Sequence, residues 1–481
     1  MLWYLTVYTI RSTAAAVAAA AAVAAVTMPC ATWAADARLA DADTGARIDR
    51  VLAASRLSNQ PNQPGYTIIV VKDGATLLRK GYGMADLAAH TPLQPDTVMR
   101  IGSITKQFTA TAILLLVDQG KIRLDDDITV YLPDYPTRGQ KITIEHLLTH
   151  TSGIASFTSK PGYMSDMARD VTVPQMIDTF KRDPLDFAPG SRYKYNNSGY
   201  FLLGAIIEKV SGQTYDRFVA ERIFVPLGMT HTAYEGHERA PAAHAVGYTR
   251  TAQGYGPAAA LSMSQPYAAG SLVSTVDDLA RWDAAVSSGK LLNAASWQRA
   301  FTPYVLSTGN STGYGYGWSV ASLRGTPMIA HSGGINGFAS YALRLPEEKV
   351  YVAVLSNADS GMSVSETAYQ AAAIAIGKPF PVYLPVKLEA AVLDAYAGIY
   401  HVEGEGAYTV RREGERLAVQ RGTRPPLTVQ AYSPDSFFIP GELNTIEFAR
   451  DAQGRTTGFT IHQPTIDKVG VRTGDAAAPP Q

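Results

Sequence analysis

MRIGSITKQFTATAILLLVDQG, residues 99–120, is the stretch on which the reading of this chain turns. After its polar start, Phe108, Ala112, Ile113, Leu115, Leu116 and Val117 suit a buried helix, and Gly120 is placed to close it as a C-terminal cap. A helix this apolar has to be covered on most sides, so it predicts a core helix of a sizeable domain. Ser103 and Lys106 stand at its head, three residues and about one turn apart, which puts the amine on the same face as the hydroxyl. A serine hydroxyl becomes a nucleophile when a base accepts its proton, and a desolvated lysine of lowered pKa is such a base. The helix N-terminus adds free N–H groups and a positive dipole end, both of which favour developing negative charge.

Working outward, residues 66–71 form a β-rich run that Asp73-Gly74 turns into a second strand over residues 75–81. A second buried helix is expected over residues 199–210, ending at Ser211-Gly212. Residues 340–345 and 350–355 read as two strands around the turn Pro346-Glu347-Glu348. Hairpin, helices and hairpin in that order predict an α/β (α+β) sandwich, an antiparallel sheet flanked by helices, over residues 36–376. Proline density rises in residues 377–387, read as a linker. Short alternating segments then follow at 408–411, 416–420, 427–432, 436–439, 445–450 and 458–462. They predict a small C-terminal antiparallel β-barrel within residues 388–473. Residues 474–481 are expected to be a disordered tail.

Composition narrows the chemistry. The 481 residues are 46% hydrophobic and 17% charged, enough for a full core and more than one domain. Lys plus Arg equals Asp plus Glu at 42 each, so no global field gathers nucleic acid or an anionic surface. Residues 1–34 carry Arg11 as their only charge and an Ala/Val-rich stretch, the pattern of a secretory signal peptide with cleavage near Ala34. The mature protein is therefore expected in the periplasm or outside the cell, with no integral membrane span. Cys30 lies inside the leader, so the mature chain would have no cysteine for disulfides, thiolate catalysis or zinc. No cofactor or metal is implied. His146 and His150 have the spacing of a zinc pair, but Leu147 stands where a metalloprotease needs glutamate. Asp125-Asp126-Asp127 lacks the spacing and glycine of a calcium loop and reads as a solvated turn.

The S-x-x-K tetrapeptide is weak by itself: Ser287-Ser288-Gly289-Lys290 repeats it at the end of another helical pattern. Gly309-Asn310-Ser311-Thr312-Gly313 matches a nucleophile elbow but lacks the strand and helix that elbow requires. Two further constellations follow Ser103 in chain order. Tyr195-Asn196-Asn197 supplies a phenol able to relay protons and an amide able to orient a carbonyl. His331-Ser332-Gly333, followed by Gly334, precedes the strand at 340–345, where small residues would let a substrate backbone approach a sheet edge.

With these three motifs the chain resembles the serine β-lactamase and penicillin-binding protein family, built on S-x-x-K, Y-x-N and K-x-G or H-x-G. Residues 144–153 (IEHLLTHTSG), 270–279 (GSLVSTVDDL) and 314–318 (YGYGW) support the resemblance, which covers roughly residues 65–359. It implies a β-lactamase-like fold with Ser103 as the acylated nucleophile, and Lys106, Tyr195 or both as its base. Asn197 would face the substrate amide, and the backbone N–H groups of Ser103 and Gly334 would form the oxyanion hole. His331, with Gly333, would stand where many relatives carry lysine, a residue that offers a fixed charge to a substrate carboxylate. That departure directs the expectation toward D-aminopeptidases, D-alanyl-D-alanine carboxypeptidases and family esterases, and the trailing barrel resembles the lipocalin-like domains appended to such hydrolases. Lys468-Val469-Gly470 is set aside as a third motif because it lies past the linker. The expected partner is a small peptide or ester, peptidoglycan-derived in one version, with β-lactams as acylating ligands. A class C-like β-lactamase and a non-catalytic peptidoglycan sensor are the alternatives.

Overall fold

The computed structural model describes residues 30–54, 62–237 and 244–475. Most of the expected leader lies outside them. The chain divides into Met1–Ala42, whose described part is the opening of helix α1 (Cys30–Ala54), and Asp43–Gln481, which holds everything that follows.

The main sheet has six antiparallel strands: β1 (Tyr66–Lys72), β2 (Ala75–Tyr82), β3 (Ser319–Leu323), β4 (Thr326–Ile335), β5 (Phe338–Leu345) and β6 (Val350–Ser356). Their order is β3-β4-β5-β6-β1-β2, so the N-terminal hairpin docks beside the last strand of the C-terminal meander, with Tyr66 opposite Ser356 and Lys72 opposite Val350. Alternation along these strands separates two cores. Ile69, Tyr351, Ala353 and Leu355 face a large helical layer containing α2 (Thr105–Asp118), α3 (Ile144–Leu148), α4 (Asn197–Ser211) and α5 (Val276–Ser287). Ile68, Val70, Val352 and Val354 face the other way, onto Ile48 and Leu52 of α1 and onto Ala368, Ala371 and Ala372 of α6 (Val364–Ala375). This is the expected α/β sandwich.

Helix α4 begins at Asn197, two residues earlier than the sequence predicts. The Asn196 side chain caps it by accepting from the Gly199 N–H at 2.9 Å, and Gly212 ends it in the left-handed conformation. Gly204 of this helix lies against Tyr267 and Ala268. A Cβ there would sit 2.3 Å from the Tyr267 ring and 2.5 Å from the Ala268 methyl. Alanine at position 204 would gain up to about 1 kcal/mol in helix propensity, yet overpacking costs about 1–3 kcal/mol. Gly204→Ala is therefore expected to lower the melting temperature, as differential scanning calorimetry would show; an unchanged or raised value would refute the packing argument.

The C-terminal strands close into an eight-stranded barrel: β7 (Gly398–Val402), β8 (Gly406–Glu413), β9 (Arg416–Arg421), β10 (Leu427–Ala431), β11 (Ser436–Phe438), β12 (Thr445–Arg450), β13 (Thr456–His462) and β14 (Asp467–Gly474). Tyr396, Tyr400, Phe437, Phe448 and Phe459 fill its centre, with Tyr396 and Phe448 stacked at 4.3 Å. Six of these strands fall on the expected segments. The first and last were not foreseen, and they pair with each other to close the circle. Gly474, expected in the tail, ends β14; the tail itself, from residue 476, lies outside the described residues.

Candidate active site

The strand Met99–Arg100 runs into a 3₁₀ turn, Gly102–Ile104, that passes directly into α2. Ser103 therefore sits at the junction of turn and helix. Lys106 is fully buried, and its Nζ lies 3.0 Å from Ser103 Oγ, 2.9 Å from Asn197 Oδ1 and 2.8 Å from the Ala269 carbonyl oxygen. The Tyr195 and Tyr200 rings lie 4.9 and 5.4 Å from the same nitrogen. Desolvation lowers the amine well below its ordinary pKa, which favours the neutral form. A neutral amine has two N–H donors and one lone pair. Asn197 Oδ1 and the Ala269 carbonyl can only accept, so they take both N–H groups, and the lone pair is left to accept the Ser103 O–H.

The parts that hold this arrangement are local. Asn197 donates its backbone N–H to Ser156 Oγ at 3.3 Å and its Nδ2 to Thr158 Oγ1 at 3.2 Å, which ties the head of α4 to the loop after α3. The turn carrying Ala269 is fixed by Thr109 of α2, whose hydroxyl donates to the Ala268 carbonyl at 2.7 Å. Tight packing at Gly204 supports the same turn from the other side.

An aromatic wall stands over the amine. Tyr195 is its open member, 38% exposed. Desolvation raises its phenol above the ordinary value, while a hydrogen bond with Ser103 works against that rise. His150 is buried with its ring 4.3 Å from Tyr195, 5.1 Å from Tyr200 and 4.7 Å from Tyr314, and its Nδ1 accepts from the Asn196 N–H. Burial lowers its pKa well below the usual histidine value. His331 is buried too, and desolvation followed by the nearby Lys106 charge pushes it down to about 3. Its Nδ1 is 2.6 Å from the Ser332 carbonyl, which can only accept, so Nδ1 carries the proton; Nε2 then accepts from the Tyr314 hydroxyl at 2.7 Å.

Tyr314→Phe is expected to leave Nε2 of a neutral, buried histidine unpaired, costing about 1–3 kcal/mol. A urea melt of the variant should show a lower midpoint with an unchanged slope. No loss of stability would mean that the bond does not matter.

His331, Gly333 and Gly334 lie inside β4, where the sequence placed them ahead of the next strand. β3 pairs with β4 only as far as Ser319 opposite Ala330, so residues 331–335 have β5 on one side and, among the described residues, no neighbouring strand on the other. This is the sheet edge that the small residues suggested. Gly333 is held close to the nucleophile's turn: a Cβ on it would fall 2.1 Å from the Ile101 carbonyl and 2.2 Å from Ser340 Oγ. The Gly334 backbone nitrogen lies 3.0 Å from the position a Cβ on Gly102 would occupy, which brings it beside the Ser103 turn.

Ser103, Lys106, Tyr195, Asn197 and His331 are thus gathered at one place. Three contributors had escaped the sequence reading: Ala269 through its carbonyl, Tyr314 through its hydroxyl, and His150 as the ring behind Tyr195. His146 caps α3, its Nδ1 accepting from the Thr143 N–H at 3.2 Å. Ser287 and Ser288 end α5, and Ser311 lies in a loop, where it bridges to Val305. Lys468 pairs with Glu405 in the barrel. Among the described residues no three His, Cys, Asp or Glu side chains cluster in a way that could hold a metal ion, and no helix is long and apolar enough to cross a membrane.

Comparison with known proteins finds relatives for the fold. A family model described as Beta-lactamase matches residues 46–376. Penicillin-binding protein 4* of Bacillus subtilis is 27% identical over 440 residues, which cover 85% of this chain and 94% of that protein. The octameric penicillin-binding protein homologue of Pyrococcus abyssi superposes with a TM-score of 0.62 at 26% identity, covering 91% of this chain and 99% of that one. The D-amino acid amidase of Ochrobactrum anthropi, in complex with L-phenylalanine amide, superposes with a TM-score of 0.57 at 26% identity over 71% of this chain and 96% of that one.

Proposed function

Since this chain belongs to the beta-lactamase family, we propose that it is an exported serine hydrolase that cleaves an amide or ester bond through an acyl-enzyme on Ser103. Its substrate would be a D-amino-acid-containing peptide, amide or ester. The observation that carries the reading is the Lys106 amine, buried, depressed in pKa and left with its lone pair for the Ser103 hydroxyl 3.0 Å away.

In the first step the Ser103 proton passes to Lys106 Nζ as Oγ attacks the carbonyl carbon. The backbone N–H groups of Ser103 and Gly334 take the oxyanion, and the proton moves through Lys106 and Tyr195 to the leaving nitrogen or oxygen. Water then attacks the acyl-enzyme by the reverse sequence. A substrate lying along the free edge of β4 would be bonded as an added strand.

His331 supports the choice of substrate. A neutral imidazole provides no fixed charge for a substrate carboxylate, so amides and esters are favoured over β-lactams, and β-lactams become slow acylating ligands. The similarity to a D-amino acid amidase points the same way. Periplasmic or extracellular placement follows from the Ala/Val-rich residues 1–34, and peptidoglycan-derived peptides are the substrates such placement would offer. The test is one panel of D- and L-amino-acid amides, acyl-D-Ala-D-Ala peptides, short-chain esters and nitrocefin. Preferred turnover of D-amides, D-peptides or esters supports the proposal; nitrocefin as the best substrate would replace it with a β-lactamase, and binding without turnover of any member with a sensor.

A further inference from the structure

A cavity lies on the same face of the sheet as Ser103 but at the other end of β5. Ser340, whose hydroxyl donates to the Ile101 carbonyl, and Arg344 are four residues apart on that strand, about 13 Å. The cavity holds about 1010 Å³ between α5, the Asp73-Gly74 turn and the turn after β5. Pockets of this size commonly hold small ligands. Its apolar wall is Ile69 and Val71 from the sheet, facing Ala280 and Ala284 of α5, two side chains too small to fill the gap.

Arg344, buried, and Asp283, half-buried, also line the cavity. Arg344 Nε is 3.1 Å from Asp283 Oδ1 without a hydrogen bond of good geometry; among the described residues the guanidinium bonds from Nη2 to Ser287 Oγ at 2.7 Å and lies 5.4 Å from the Phe301 ring, and Ser287 Oγ is 3.5 Å from Asp283 Oδ2. Burial pushes the Asp283 carboxyl up to about 6 and lowers Arg344. An ion pair largely withdrawn from water without its full set of hydrogen bonds is poorly stabilised, and replacing such a pair by hydrophobic residues is often neutral or stabilising. The other charges at the rim are already matched: Arg79 is bidentate to Asp277, and Arg281 pairs with Asp278.

We propose that this cavity is a binding site for a free α-amino acid with an apolar side chain. The carboxylate would take the Arg344 guanidinium, the ammonium would take Asp283, and the side chain would lie over Ile69, Val71 and Ala284. A purely anionic ligand would leave Asp283 uncompensated, a cation would leave Arg344, and a neutral apolar molecule would bury both unmet. A ligand with one charge of each sign on neighbouring atoms complements both members of the pair at once, and the 3.1 Å between the two protein groups suits charges carried on one carbon. This site is independent of the chemistry at Ser103.

Titration calorimetry of the full chain with D- and L-leucine, leucinamide and N-acetylleucine tests it. The expected result is saturable binding of free leucine, with affinity lower by at least about tenfold for the amide and for the N-acetyl compound. Binding should be lost in Ala284→Phe, which fills the cavity, and in the double variant Asp283→Leu/Arg344→Met, which keeps its volume but removes both charges. Ester or amide turnover measured on each variant reports that it is folded. No binding up to about 10 mM, or binding untouched by either variant, overturns the proposal, the second because leucine would then sit elsewhere, including beside Ser103.

Discussion

Replacing Ser103 by alanine is expected to lower kcat for a chromogenic ester or amide by at least about 10³-fold. Lys106 then has no hydroxyl to deprotonate, and Tyr195 has no serine to relay to, so the loss should be as large as that of removing the group together. The backbone N–H groups of residues 103 and 334 are untouched by the change and account for any remaining acceleration over water. Covalent labelling by a fluorophosphonate or a fluorescent penicillin should vanish in the same variant, read by intact mass. Ser311→Ala and Ser287→Ala are the controls. Ser311 lies in a loop, and Ser287 bonds Arg344 far along the sheet. Full turnover by the Ser103 variant, or a labelled serine at 287 or 311, would remove the proposed nucleophile.

Lys106→Met should cost about 10²–10⁴-fold in acylation rate, the usual range for a general base. Wild-type kcat/KM should fall as pH drops through the depressed Lys106 value, because a protonated amine has no lone pair for the serine proton. His331, neutral down to about 3, should add no step near neutrality. The methionine variant should lose the Lys106 limb while keeping its fold. Stability follows the same titration. Between the depressed value and the ordinary lysine value the unfolded chain binds more protons than the folded one, so wild-type stability rises with pH across that window and is lost as pH falls. Methionine removes that slope. It also leaves Asn197 Oδ1 and the Ala269 carbonyl without the amine, lowering the overall level by about 1–3 kcal/mol. Slope and level are separable in melts taken at several pH values. A methionine variant with the wild-type pH–rate profile would exclude Lys106 as the base.

Much of the scaffold is legible in the sequence because its signals are local. Residues 66–71 are a β-rich run turned by Asp73-Gly74, and α2 and α4 are apolar enough to be buried whatever surrounds them. β4 was missed for the opposite reason. Pro327, His331, Gly333 and Gly334 have no strand preference, and the segment is extended because β5 holds it along its length. The same holds for β7 and β14, whose glycines and charges look like turns until each supplies the other's partner. At the site, the spacing of Ser103 and Lys106 fixes their mutual reach, but the two acceptors that orient the amine come from positions 197 and 269. A carbonyl acceptor is present at every residue, so no residue type marks Ala269. In the sequence Tyr314 stands out only within YGYGW and His150 only through its spacing from His146; their part depends on which rings meet, a tertiary fact.

The closure of the barrel by its last strand has a consequence for how this protein ages. β14 is hydrogen-bonded to β7 on one side and β13 on the other. A protease cut just before Asp467 would strip partners from two strands at once, turning a surface without ends into an open one with two unsatisfied margins. A loss of under a tenth of the chain would expose the stacked rings at the centre and mark the molecule for clumping or disposal. Strand β14 thus acts as a seal of intactness for the barrel.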